Sequence, residues 1–146
     1  LNLKSPVTFG PLPDNFCAMT TVTSIETIHR VRELQLAESA CRGLSLEPLW
    51  SRVTDELNLE GIDWVIVGGE SGKRTITKTF DLEWLRDLRQ KCNDEGVALF
   101  VKQLGRNPVV DGEPLTLRDP HGGDWDEWDE EFRVREMPEY FHGYRK

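Results

Sequence analysis

The stretch Asp63-Trp-Val-Ile-Val-Gly-Gly-Glu-Ser-Gly72 joins an apolar run directly to a glycine-rich turn. Trp64 to Val67 is continuously apolar and rich in β-branched residues, which is typical of a parallel strand buried on both faces. Gly68, Gly69 and Gly72 lack side chains, so the backbone there can approach another molecule closely. Because α/β proteins bind ligands at the carboxyl ends of parallel strands, the stretch predicts a ligand-binding turn. The simpler interpretation is a tight connection between a strand and a helix.

Three further segments, residues 16–22, 42–47 and 97–101, also have the composition of strands. Between the strands, apolar residues at helical spacing predict helices that begin near Thr23, Trp50 and Asp81. Thr23-Ser-Ile-Glu26 has capping-box spacing, and Asp81 and Gly96 are the residue types expected at the two ends of a helix. Strand and helix therefore alternate three times before a last strand, which predicts parallel strands joined by right-handed crossovers.

Four such strands form either a small open sheet or half of an eight-stranded barrel. The predicted fold class is α/β, a partial (half) βα barrel over residues 16–106, with an N-terminal linker over residues 1–15. Residues 107–146 are expected to form an acidic, loop-rich C-terminal extension, which aromatic and apolar side chains could pin to the body: Trp125, Trp128, Phe132 and Val134. A half-barrel alone would leave two unpaired strand edges that need a partner.

The charge of the chain is uneven. Of the net charge of −8, the nine acids and two arginines between Asp119 and Glu139 account for −7, which leaves about −1 for the rest. A chain-wide basic footprint for nucleic acid is therefore absent, although local clusters of Arg and Lys are compatible with these totals. No stretch approaches the roughly 20 apolar residues that span a bilayer, and no signal peptide is visible.

The three cysteines have neither a metal-ligand spacing nor the even count of a disulfide framework. Cys17, Cys41 and Cys92 each lie among apolar residues. This pattern favours buried, reduced thiols and a cytoplasmic protein.

Polar residues follow the predicted strands where parallel strands end on a common face. Glu47 follows the second strand, Gly68-Gly-Glu-Ser71 follows the third, and Lys102 follows the fourth. Two carboxylates and a lysine beside glycine amides predict a polar pocket, with Glu70 expected near Lys102. The alternative is that these residues only end the strands at a wet rim. No catalytic residue is assigned.

Two other groups have a weaker signal. His121, Asp124 and Asp126 could bind a metal and support a metal-dependent hydrolase, but one histidine with scattered carboxylates favours a solvated acidic loop. Lys73 and Arg74 follow the glycine turn and could meet an anion at a helix start. Arg74 stands where a Walker phosphate-binding loop requires Ser or Thr, so a nucleotide triphosphatase is not expected.

Several segments in one order resemble the C-terminal half of a phage and prophage protein family of unknown function. That family is related to radical S-adenosylmethionine enzymes and is sometimes labelled a three-cysteine-motif family. The resemblance covers roughly residues 13–138 and rests on these segments: Pro13-Asp-Asn15, Ser45-Leu-Glu-Pro-Leu49, Asp63 to Gly72, Trp84 to Cys92, Val101-Lys-Gln103 with Gly105, and Asp119-Pro-His-Gly-Gly-Asp-Trp125.

The resemblance implies the second half of a βα barrel of radical-enzyme type. It implies that Glu47 and the turn from Gly68 to Gly72 line a cofactor or substrate pocket. In this family an upstream half with closely spaced cysteines would hold an iron–sulfur cluster, and the cysteines of this chain do not match that spacing. We therefore expect no cofactor in this chain alone, and S-adenosylmethionine with a 4Fe–4S cluster only together with the N-terminal half.

The partners that we expect are a complementing N-terminal half, a second copy of the chain or a small molecule. A membrane is not expected, and the net charge does not indicate nucleic acid. The alternative to an enzyme half is a non-enzymatic binding or assembly module that dimerises through its open sheet edges. The expected location is the cytoplasm, which would be the host cytoplasm for a phage-encoded chain.

Overall fold

The computed structural model describes residues 10–142 and contains a mixed α/β fold. Its strands are β1 (Cys17–Thr21), β2 (Cys41–Leu46), β3 (Trp64–Gly68), β4 (Phe80–Asp81), β5 (Ala98–Gln103), β6 (Pro108–Val110) and β7 (Glu113–Pro114). Its α-helices are α1 (His29–Gln35), α2 (Leu82–Glu95) and α3 (Glu139–His142). The main sheet has the order β1-β2-β3-β5, and a small second sheet has the order β4-β6-β7.

All neighbouring strands of the main sheet are parallel, as predicted. The register aligns Leu44 of β2 with Val65 of β3, and Val65 with Leu99 of β5. The main-sheet strands are neighbours in the order in which they occur in the chain, which fits both an open sheet and part of a barrel. The parallel α/β class is thus confirmed, and the half-barrel remains a prediction.

The main sheet has one fully buried face and one half-open face. Side chains alternate across a strand, so Leu44, Val65 and Leu99 share the face against which the core packs. The opposite face presents Ile66 and Phe100, which are only partly buried. The expectation that β3 is buried on both faces was therefore wrong. The buried leucines of helices α1 and α2 belong to the same core as Leu44, Val65 and Leu99, so this core covers only one face of the sheet.

Helix α2 begins and ends where the sequence predicts. The Asp81 carboxylate accepts a hydrogen bond from the N–H of Glu83 at 3.0 Å, and Gly96 ends the helix with φ at 69°. The capping box predicted at Thr23 is displaced, because the Thr27 hydroxyl accepts from the N–H groups of Thr23 and Ser24. A short 3-10 helix, Ile25–Thr27, precedes α1.

The helix expected from Trp50 does not form, and residues 47–63 contain turns. Two of its predicted apolar positions, Val53 and Leu57, are still buried in the core, and Trp50 is half-buried. The backbone N–H of Leu49 bonds to Gly68 and that of Trp50 bonds to Thr23, so this segment attaches to other strands. The apolar residues at helical spacing therefore anchor a loop to the core and do not form a helix.

One of the two expected open edges is occupied. The N–H of Val101 donates to the carbonyl of Val134, and the N–H of Glu136 donates to the carbonyl of Leu99, each at 2.8 Å. This antiparallel contact with the C-terminal extension covers the outer edge of β5. Within residues 10–142, β1 pairs only with β2, so the open edge of the main sheet is that of β1.

The C-terminal extension is docked through its rings, as predicted. Trp128 and Phe132 are 2% and 1% exposed and belong to the core. The Arg135 guanidinium lies 4.5 Å from the centre of the Trp125 ring. Most of the expected linker, residues 1–9, lies outside the described residues, as do residues 143–146. None of the helices in the described part of the chain combines the length and the apolar composition that a membrane span requires.

Candidate functional site

An ion pair joins two strand ends on the half-open face of the main sheet. The Lys102 ammonium donates to both carboxylate oxygens of Glu47, at 2.8 and 3.1 Å. Glu47 follows β2 and Lys102 lies in β5, so the pair reaches across β3. A β-carbon at Gly68 would lie 3.4 Å from the Glu47 γ-carbon. This is an ordinary contact distance, and the closest neighbours of that β-carbon would be the carbonyl oxygen and the γ-carbon of Gln103, at 3.2 and 3.3 Å.

The pair is open to solvent on the lysine side. The Glu47 side chain is 18% exposed, whereas that of Lys102 is 54% exposed. A pair with this exposure contributes only about 0–1 kcal/mol to stability. Loss of this pair would therefore cost the fold little.

Glu70 has other partners than the expected Lys102. One of its carboxylate oxygens accepts from the indole N–H of Trp50 at 3.2 Å and from the backbone N–H of Lys78 at 2.9 Å. The Lys78 ammonium lies 4.2 Å above the Trp50 ring. The chain leaves the sheet after Gly68. The two hydrogen bonds that Glu70 accepts then attach the following loop to Trp50.

The glycines at this end of the sheet bring three backbones together. A β-carbon at Gly69 would lie 2.4 Å from the carbonyl oxygen of Leu104, one at Gly105 would lie 2.6 Å from the Gly69 carbonyl carbon, and one at Gly122 would lie 2.4 Å from the Gly105 oxygen. We call Gly69, Gly105 and Gly122 the glycine stack. Gln103 adds a side-chain hydrogen bond to the Gly69 carbonyl at 3.0 Å. Gly69 therefore packs against the protein's own backbone. Ser71, another predicted site residue of this turn, is exposed to solvent.

Gly105 and Gly122 were not singled out from the sequence as partners of Gly69. Their signal was present in the sequence only as glycines after a predicted strand end and in the His121-Gly-Gly123 turn. Both have positive φ, 78° and 63°, which favours glycine.

The segment from Asp119 to Asp124 is a docking loop. The Asp119 carboxylate accepts from the N–H groups of His121, Gly123 and Asp124 at 3.0, 2.7 and 2.9 Å, and these donors lower the pKa of Asp119. The carbonyl of Gly122 accepts from the N–H of Leu104 at 2.8 Å. This loop therefore fastens the extension to the end of β5.

The candidate metal residues of this loop do not converge. The Asp124 carboxylate accepts from the N–H of Asp126 at the start of a 3-10 helix, Trp125–Glu127. Within the described residues, no group of three His, Cys, Asp or Glu side chains has the arrangement of a metal site. The hypothesis of a metal-dependent hydrolase therefore has no geometric support here.

The cysteines do not form the ligand set of an iron–sulfur cluster. Cys17 and Cys41 are neighbours in register on β1 and β2, whereas Cys92 belongs to α2. Burial raises the pKa of all three thiols, that of Cys92 to about 12. A cluster needs converging thiolates, so the residues of this chain do not fit one.

A cleft of about 490 Å³ lies at the opposite, amino-terminal end of the strands. Its lining includes Asp63 just before β3, Ala98 at the start of β5, and Glu136 of the extension. None of the predicted site residues lines this cleft. The strand-end site and the cleft are therefore separate features.

A family model described as a protein of unknown function (DUF5131) matches residues 2–131. No curated protein and no solved structure matches the chain.

Proposed function

This chain belongs to an uncharacterised family, DUF5131, and we propose that it is the C-terminal half of a ligand-binding βα barrel. The site would comprise the residues predicted at the strand ends: Glu47, Gly68, Gly69, Glu70, Ser71 and Lys102. The proposal includes the relationship to phage-type, radical-S-adenosylmethionine-like proteins, which the sequence resemblance alone supports. The observation on which it rests is the Glu47–Lys102 pair above Gly68.

The half-open face of the main sheet supports the barrel. In a complete βα barrel the corresponding face points inward and is covered by strands on the opposite side. Here Ile66 and Phe100 of that face are only partly buried. A complementing half would cover them and would place the Glu47–Lys102 pair at the mouth of the barrel. It could pair with the open edge of β1, whereas closing the barrel at β5 would require the extension to leave that edge.

The chemistry of the pair fits a zwitterionic ligand. A ligand ammonium would bind Glu47 and a ligand carboxylate would bind Lys102, so one ion pair within the protein would become two with the ligand. S-adenosylmethionine has such an amino-acid end. Its radical chemistry in related enzymes needs a cluster that these residues do not fit, so we assign no reaction step to this chain.

Calorimetric titration of S-adenosylmethionine into the chain combined with its complementing N-terminal half tests the site, since no cofactor is expected in the chain alone. We expect Lys102→Met to weaken binding at least about tenfold, which corresponds to about 1.4 kcal/mol. Lys91→Met is the matched control, since Lys91 forms a comparable pair with Glu95 on α2. Equal affinity of the wild-type and Lys102→Met chains would reject Lys102 as a ligand residue.

The alternative function is a non-enzymatic module that forms a homodimer. The specific observation in its favour is the edge of β1, which is open within residues 10–142 and lies beside Phe16, 54% exposed. Light scattering of the purified chain distinguishes the two functions. A stable dimer without ligand binding supports the alternative, and a monomer that binds the ligand contradicts it.

A further inference from the structure

The segment from Ser71 to Thr79, which we call the basic loop, differs in charge from the rest of the chain. It contains Lys73, Arg74 and Lys78 and no acid, so its net charge is +3. Because the whole chain has a net charge of −8, the remaining residues together have −11. The basic loop is therefore a local region of positive charge on an acidic protein.

All three cations of the basic loop are exposed, and among the described residues none of them forms an ion pair with a carboxylate. Lys78 does lie close enough to Glu26 to contribute to lowering the pKa of that carboxyl. Lys78 also lies over the Trp50 ring. By contrast, Arg52 and Arg86 each pair with at least two carboxylates. The charge of the basic loop is thus available to an anion from solution.

Hydrogen bonds from both neighbouring segments hold the basic loop in one shape. The Asn107 side-chain amide donates to the carbonyls of Arg74 and Thr77 and to the Thr77 hydroxyl, at 2.9, 2.9 and 2.8 Å. The Glu70 carboxylate accepts from the N–H of Lys78. Because the loop is ordered before binding, the entropy cost of binding an anion is reduced.

Another cation lies at the base of the basic loop. The N–H of Arg106 donates to the carbonyl of Glu70 at 2.8 Å, which places Arg106 beside the residue that precedes the loop. No carboxylate pairs with Arg106 in residues 10–142. These cations lie beyond the carboxyl ends of β3 and β5, where α/β proteins bind ligands.

We propose that the basic loop binds a compact phosphate-bearing ligand, such as a diphosphate or triphosphate group, through Lys73, Arg74 and Lys78. Arginine and lysine together are suited to phosphate, as fork and point charge respectively. A long polyanion would extend onto the acidic remainder of the surface and be repelled, so the ligand is compact. The proposal rests on the loop alone and does not depend on the function proposed above.

Titration with sodium pyrophosphate and with ATP, followed by calorimetry, tests the proposal. We expect the double variant Lys73→Gln, Arg74→Gln to weaken the binding of both about 100-fold, since each lost charged contact costs roughly tenfold. Arg32→Gln is the control, because Arg32 is an exposed cation on α1. Both variants alter exposed side chains, and circular dichroism verifies that they fold.

Loss of pyrophosphate binding in Lys102→Met would overturn the proposal, as would three other outcomes. They are no binding of pyrophosphate or ATP, equal affinity of the double variant and the wild type, and tighter binding of a ten-nucleotide single strand than of ATP. Lys102→Met separates this site from the strand-end pair, since it should leave pyrophosphate affinity unchanged. If Lys102→Met abolishes pyrophosphate binding, the anion binds at Lys102 and the basic loop is not its site.

Discussion

At the residue scale, Gly69 is constrained by its neighbours and not by its dihedral angles. Its φ lies outside the positive range, whereas an added β-carbon would collide with the Leu104 carbonyl at 2.4 Å and approach Phe80 at 3.0 Å. We expect Gly69→Ala to lower the free energy of unfolding by about 1–3 kcal/mol, because overpacking forces a backbone shift. Urea denaturation measures this change.

Gly123→Ala is the matched control for Gly69→Ala. Its β-carbon would meet only the Asp119 carboxylate at 3.4 Å, which is an ordinary contact, and its φ is not positive. We expect its free energy of unfolding to stay within about 0.5 kcal/mol of wild type. If Gly69→Ala is equally harmless, the glycine stack is not required for the fold.

At the scale of the element, α2 depends on its first residue. The Asp81 carboxylate satisfies the otherwise unpaired N–H of Glu83. We expect Asp81→Ala to destabilise the protein by about 1 kcal/mol in thermal or urea unfolding. Asp94→Ala, near the other end of α2, removes an acid from the negative end of the helix dipole and an exposed hydrogen bond from Gln90, so it should cost little. Equal losses in the two variants would show that the loss in Asp81→Ala reflects neither capping nor the helix dipole, since both predict a loss at Asp81 alone.

At the scale of the whole molecule, acid should loosen the docked extension. Asp119 accepts three backbone N–H groups, and Glu127 accepts from the N–H groups of Asp119 and Arg118, which lowers the pKa of both carboxyls. When a folded-state pKa is lowered, the unfolded chain takes up protons first. The stabilisation is therefore complete above the ordinary carboxyl pKa of about 4 and is lost as pH falls through the lowered values.

Urea midpoints between pH 7 and pH 3 (about one unit on the acid side of the ordinary carboxyl pKa) measure this effect. We expect the midpoint of wild type to fall in acid and that of Asp119→Asn to fall less. Asp129→Asn is the control, since the Asp129 side chain makes no capping bond. An acid dependence of Asp119→Asn as steep as that of wild type would contradict the role of Asp119.

How far the sequence predicts the structure depends on whether a signal is local. Asp81 and Gly96 mark the ends of α2 correctly, because a cap bonds to the adjacent turn. The helix expected at Trp50 was wrong, because the N–H groups of Leu49 and Trp50 bond to other segments. Apolar residues at helical spacing thus belong to a helix in α2 and to a loop in residues 50–57.

The candidate site divides in the same way. Glu47, Gly68 and Lys102 could be placed at strand ends, because parallel strands end on one side of a sheet. The partner of Lys102 could not be predicted, since it depends on which side chain faces it across β3. Glu70 was close in sequence to the expected pocket, but it bonds to Trp50 and Lys78.

The sequence by itself determined the parallel α/β class and the limits of α2, because strand composition and helix caps act within a few residues. Only the tertiary structure decided that Glu47 meets Lys102, that Gly69 packs against Gly105, and that the extension covers the edge of β5. Each of these contacts joins segments more than 30 residues apart in the chain. Such contacts depend on how the elements pack together, which no local pattern specifies.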